Sequence, residues 1–147
     1  MPKRYVVFSI GEGQFAIPLA EVSRIVRYEN VTDVPTAPPF VDGVINLGGE
    51  VIPVVNLPRR LSLTGAETTR KNRVIVVQKQ ERRYELLVHG VREILELEQD
   101  SVAPEAASVF GMKPEFVLGI ARNREKLLVL LDIFKVLSTP PEVPIRE

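Results

Sequence analysis

The fifteen residues Gly43-Val-Ile-Asn-Leu-Gly-Gly-Glu-Val-Ile-Pro-Val-Val-Asn-Leu57 decide the fold. Gly43 to Leu47 and Val51 to Leu57 are short apolar runs of Val, Ile and Leu, and Gly48-Gly49-Glu50 between them is turn chemistry. The stretch reads as a β-hairpin. The same pattern recurs three times along the chain. Tyr5 to Ile10 and Phe15 to Leu19 flank Gly11-Glu12-Gly13; Val74 to Val77 and Tyr84 to Val88 flank the polar stretch Lys79 to Arg83. Val117 to Ala121 and Leu127 to Leu131 flank Arg122 to Lys126. Four hairpins and few long helical periods make the class all-β.

The four hairpins are two copies of two. At an offset of 69, Phe15 meets Tyr84, Ile17 meets Leu86, Val22 meets Val91 and Ile25 meets Ile94. At an offset of 76, Phe40 meets Phe116, Gly43 meets Gly119, Asn56 meets Asp132 and Leu61 meets Leu137. One domain with related halves, about 5–61 and 74–137, follows. Each half is too small to be stable alone, so the halves are expected to share a core. Small all-β units close into barrels to remove exposed edges, so two packed five-stranded barrels with short helices are expected. The helices are Asn56-Leu-Pro-Arg-Arg-Leu and Asp132-Ile-Phe-Lys-Val-Leu, each opening on an Asn or Asp cap, with Pro58 tolerated in the first turn. Periodicity leaves Glu21 to Val26 and Arg92 to Leu95 open between helical turns and strand continuations. Val34 to Phe40 reads as a proline-rich extended connection, Gln99 to Pro114 as a surface loop and 139–147 as a mobile tail.

Bulk composition narrows the function. The 147 residues carry 19 basic and 19 acidic side chains, a balance that argues against a partner held mainly through its phosphates. Cysteine is absent, which removes disulfides and thiolate metal sites. The N-terminal apolar run is too short for a signal peptide, and no stretch approaches the roughly 18 apolar residues of a membrane helix. A cytoplasmic location is expected, without membrane insertion.

Catalytic chemistry is missing from the pattern. His89 is the one histidine, too few for a triad or a zinc site, and is expected to be structural or solvated. No serine sits in a G-x-S-x-G elbow, and Gly11-Glu-Gly13 lacks the spacing and the lysine of a phosphate loop. Glu96, Glu98 and Asp100 read as a solvated edge. No enzyme, cofactor or metal is expected. Arg59, Arg60, Arg70, Lys71, Arg73, Arg82 and Arg83 supply the alternative, a nucleic-acid-binding small barrel. Aromatics for base stacking are few at 6%, and Phe8, Phe15 and Phe40 fall at core positions, which favours solvated arginines.

The quoted stretch resembles the signature of the CheW family of chemotaxis adaptors. The likeness continues through FAIPLAEVSRIV and VPTAPPFVDGVINL upstream, and through YELLVHGVREILEL and EFVLGIARNREKLLVLLDIFKVL downstream. It covers Tyr5 to about Leu137 in the family's order. The resemblance implies paired five-stranded barrels about an apolar seam, in an adaptor that couples chemoreceptor hairpin tips to the regulatory domain of the histidine kinase CheA within receptor arrays. In the family the first subdomain pairs with the kinase, and the groove between subdomains takes the receptor. Carried over by motif, the binding residues are Asn46, Leu47, Gly48, Gly49 and Glu50 at the turn, with Val22 and Ile25 on the receptor side. Three departures stand out. Gly48 occupies the place of the family's usual Arg, so a contact made by that guanidinium is absent or rerouted. Asn56 replaces the usual Asp, and His89 stands where an acid is common.

Overall fold

The computed structural model describes residues 2–28, 31–35, 38–63, 72–103 and 112–137. Ten strands and two short helices account for most of them. In chain order these are β1 (Pro2–Ile10), β2 (Gly13–Pro18), β3 (Val22–Arg27), β4 (Val41–Leu47), β5 (Glu50–Asn56) and α1 (Leu57–Arg60). Then follow β6 (Arg73–Lys79), β7 (Arg82–Val88), β8 (Gly90–Glu98), β9 (Val117–Asn123), β10 (Lys126–Leu131) and α2 (Ile133–Val136). All four hairpins form where the apolar runs place them. The two segments that periodicity left open are strands β3 and β8. The caps act as expected: Asn56 Oδ1 accepts from the Arg59 N–H at 3.1 Å, and Asp132 Oδ1 from the Lys135 N–H at 3.2 Å. The proposed tail from Thr139, the middle of the 99–114 loop and the pair Arg70 and Lys71 lie outside the described residues.

The strands form two five-stranded sheets, ordered β8-β1-β2-β10-β9 and β3-β6-β7-β5-β4. Within each, β2–β10 and β5–β7 are the parallel pairs. Neither sheet is the product of one sequence half. The first joins the β1–β2 hairpin to β8, β9 and β10; the second joins β6–β7 to β3, β4 and β5. The exchange runs through two short links. Leu19–Glu21 is a single 3-10 turn, and one residue, His89, separates β7 from β8. Both links are short, and each carries its strand across to the other sheet, where Val22 and Val91 pack onto the common seam.

Three apolar clusters hold the sheets. The largest fills the seam between them, with Val6, Phe8, Phe15 and Ile17 from one side and Val55, Ile75, Val77 and Leu86 from the other. A second, with Tyr5, Val7, Leu97, Ala121 and Leu130, lies on the far face of the first sheet; a third, with Val54, Val74, Val76 and Leu87, lies on the far face of the second. Strands β1 and β6 are therefore buried on both faces, which is why YVVF and VIVV run apolar without alternation. Each buried Val, Leu or Phe contributes about 1.5–3 kcal/mol.

Both sheets curl. Leu97 of β8 and Ala121 of β9, on opposite edges of the first sheet, belong to one cluster, as do Val26 of β3 and Ile45 of β4 in the second. The architecture of two similar five-stranded units packed about a seam is as expected. One detail differs: among the described residues no ladder closes either barrel, and only isolated backbone bridges, Thr32 with Val44 and Ala103 with Ile120, reach across to β4 and β9. Side chains bridge the gap in the first sheet, where Asn123 Nδ2 on β9 donates to Glu93 Oε2 on β8 at 3.0 Å.

Candidate interaction site

The turn between β4 and β5 is a two-residue hairpin, with Leu47 paired to Glu50. Gly48 and Gly49 take φ of 62° and 88°, the left-handed backbone of the hairpin turn that suits a twisted pair. Asn46 locks it: its Oδ1 accepts the Gly49 N–H at 2.9 Å. Glu50 lies on the exposed rim, 3.6 Å from Arg83 on β7. Both partners are well solvated, so the pair orients side chains and adds little stability. A side chain at Gly48 would project into open space. The turn thus presents a rigid backbone tip and a small charged rim.

Val22 and Ile25 lie on β3, in register with Val77 and Ile75 of β6. Both therefore face the seam. Val22 packs against the central cluster, whereas Ile25 is 40% exposed. The structure thus puts the two predicted groups on one sheet but on its opposite edges, β4 with its β5 turn and β3. The curl of that sheet brings these two edges toward each other.

Sequence reasoning missed other exposed apolar side chains: Val51, Ile94, Leu118, Leu127 and Phe134. Two had a readable signal. Ile94 is the partner of Ile25 at the 69 offset, and Leu127 that of Val51 at the 76 offset. Exposed apolar residues with polar surroundings suit protein contacts better than catalysis.

The remaining titratable groups serve the framework. His89 Nδ1 accepts the Gly11 N–H at 2.6 Å, tying the β7–β8 crossover to the β1–β2 turn. Asp42, at a bulge in β4, sits beside Asn56 and Arg59, and burial pushes its carboxyl above the ordinary range against the opposing pull of both. Glu21 is raised chiefly by burial, then by Asp132, with Lys3 opposing. Among the described residues no three His, Cys, Asp or Glu side chains converge on a metal-sized site.

Four of the arginines of the nucleic-acid alternative make contacts within the protein. Arg59 donates to the Pro39 carbonyl at 3.0 Å and pairs with Asp42 at 3.4 Å. Arg60 lies between the rings of Phe40 and Phe116, Arg73 donates to the Asn72 carbonyl and Arg83 pairs with Glu50.

Comparison with known proteins points the same way. The family model described as the CheW-like domain matches residues 4–140. The chain is 28% identical over 137 residues to the chemotaxis protein CheW of Klebsiella aerogenes, covering 93% of this chain and 82% of that one. It is 29% identical over 141 residues to CheW of Thermotoga maritima, covering 95% and 89%. The crystal structure of the scaffolding protein TtCheW from Thermoanaerobacter tengcongensis superposes with a TM-score of 0.86 at 28% identity, over 98% of this chain and 93% of that one. None of these similarities supports nucleic-acid binding.

Proposed function

The chain belongs to the CheW-like domain family, and we propose from that premise that it is a chemotaxis scaffold, a non-catalytic adaptor coupling the cytoplasmic tips of chemoreceptors to the regulatory domain of the histidine kinase CheA. One observation carries the scaffold reading: family likeness and fold likeness both extend over nearly the whole chain. The surface supports the finer reading. Exposed apolar side chains on edge strands and at hairpin tips, with charged neighbours, are the anatomy of a protein-docking surface. Asn46, Gly48, Gly49 and Glu50 at the β4–β5 tip, with Leu47 in its ladder, supply one contact region, and Val22 and Ile25 on β3 another. Among the described residues no helix is long and apolar enough to cross a membrane. A cytoplasmic place beside receptor arrays suits that observation.

The recurrence of contacts 76 positions apart supports reading the chain as one domain with two related halves. Asn56 N–H donates to the Phe40 carbonyl at 2.7 Å, and Asp132 N–H to the Phe116 carbonyl at 2.8 Å.

Titration calorimetry of the purified protein against a CheA regulatory domain and a receptor-tip fragment from the same organism tests the proposal. Saturable binding to both is expected. Binding to neither refutes the coupling role.

A further inference from the structure

Strands β3 and β8 occupy like places in the two sheets. Each is an edge strand beside the first strand of a hairpin, each carries a bulge after its first apolar residue, and each exposes an isoleucine, Ile25 and Ile94. Their charges are reversed. Where β8 has Glu93 and Glu96, β3 has Arg24 and Arg27 at the positions 69 earlier.

The reversal matters because Glu93 is fully employed. It accepts from Asn123 Nδ2 at 3.0 Å and pairs with Arg124 at 3.8 Å, bridging the free edges of the first sheet. Arg124 has φ 59° in the β9–β10 turn, and the residue 76 earlier, in the corresponding β4–β5 turn, is Gly48 with φ 62°. In the second sheet, then, the acid has become Arg24 and its basic partner has become a glycine with no side chain. Arg24 and Arg27 are exposed and make no ion pair among the described residues. Position 48 therefore offers Arg24 no counterpart of the Glu93–Arg124 pair, and among the described residues its guanidinium is open to a carboxylate from outside.

Resting on the adaptor reading above, we propose that the β3 edge, with Ile25 and Arg27 on its seam-facing side and Arg24 on the opposite side, docks an acidic segment of a protein partner laid along the strand, and that Arg24 determines specificity for its carboxylate. Ile25 supplies the apolar anchor and the guanidiniums supply forked donors that match carboxylates. A protein segment is favoured over nucleic acid because the strip offers an aliphatic anchor and no exposed aromatic for stacking.

The test uses the full chain as wild type, Arg24→Glu and the double variant Arg24→Glu/Gly48→Arg, each titrated against the receptor-tip fragment and the kinase regulatory domain at low and moderate salt. Arg24→Glu is expected to weaken binding to one of the two by about tenfold or more, and to flatten the salt dependence of that complex. The double variant rebuilds an internal acid–base pair like that of the other sheet. It should melt within a few degrees of wild type, the new pair partly offsetting the left-handed backbone at position 48, and still bind weakly, which separates lost docking from lost folding. Wild-type affinity of Arg24→Glu for both partners overturns the inference and leaves the adaptor role standing. Failure of the wild type to bind either partner removes both. Arg24-dependent binding of a single-stranded oligonucleotide, with the protein affinities unchanged, also overturns it.

Discussion

Asn56 donates its side-chain amide to Asp42, with Nδ2 at 3.4 Å from each carboxylate oxygen. Asn56 is fully buried and Asp42 stands at the β4 bulge directly above it. This geometry accounts for the amide where the family usually has an acid. An aspartate at 56 would set two carboxylates against each other in a poorly solvated place. The second half needs no such adjustment, because the residue at its equivalent bulge is Leu118, which sets no carboxylate there against Asp132. Asn56→Asp is therefore expected to lower stability by about 2–4 kcal/mol. Adding Asp42→Leu, which copies the second half, should recover much of the loss in urea unfolding. A double variant no more stable than Asn56→Asp would show that the two positions are not coupled.

Acidity should stabilise the protein in a defined window. Burial lifts the carboxyls of Glu21 and Asp42 above their ordinary values, so the folded state holds these protons more tightly than the unfolded chain. In the interval between the unfolded and the raised folded values the native state binds more protons, and stability rises as pH falls. The gain is complete below the unfolded values and absent above the folded ones. Urea midpoints measured from neutral to mildly acidic pH should show this rise, and Glu21→Gln/Asp42→Asn should lack it. An unchanged slope in the double variant would assign the effect to other groups.

Much of this fold is legible in the chain because strand period, turn residues and caps are local signals. Gly48-Gly49 marks its own turn, and Asn56 and Asp132 mark their helices. Strand exchange is not local. Nothing in Leu19–Glu21 or His89 says which sheet receives β3 or β8; only the packing of Val22 and Val91 onto the common seam decides it. The site is legible in the same uneven way. The β4–β5 tip follows from its motif, whereas the place of Ile25 relative to that tip depends on sheet order and curl, and the role of Arg24 appears only when β3 and β8 are compared in three dimensions.

Glycine replacements should separate backbone strain from steric collision. At Gly48 a Cβ meets nothing within 4 Å, so Gly48→Ala bears only the left-handed backbone penalty, about 1 kcal/mol. At Gly43, φ is 152° and a Cβ would run into the Thr32 carbonyl and Val31. The backbone bridge between Thr32 and Val44 holds that carbonyl in place, with N–H to O distances of 2.8 Å in both directions. Gly43→Ala should therefore lose about 3 kcal/mol or more. Thermal melts of the two variants are the check, and equal losses would contradict the bridge as the source of crowding.

Arg60 fastens the two halves where α1 approaches α2. Its guanidinium carbon lies 4.5 Å from the Phe40 ring centre and 4.9 Å from that of Phe116, and its Nε donates to the Val136 carbonyl at 2.8 Å. Burial lowers its pKa while Glu115 opposes the shift, and Nη2 is buried with no hydrogen-bond partner among the described residues. Desolvation therefore subtracts from the two cation–π contacts and the hydrogen bond. The net effect of Arg60→Ala is expected to be a loss of about 2–3 kcal/mol. Arg60→Lys keeps a charge but gives up the flat ring contact and the fixed fork, so it should lose about 1–2 kcal/mol. Arg60→Met keeps the stem and sheds the buried charge, and it decides what the clamp is made of. Unfolding at neutral pH should rank wild type above lysine and lysine above methionine if the charge binds the rings. A methionine variant as stable as wild type would mean that packing alone joins α1 to α2.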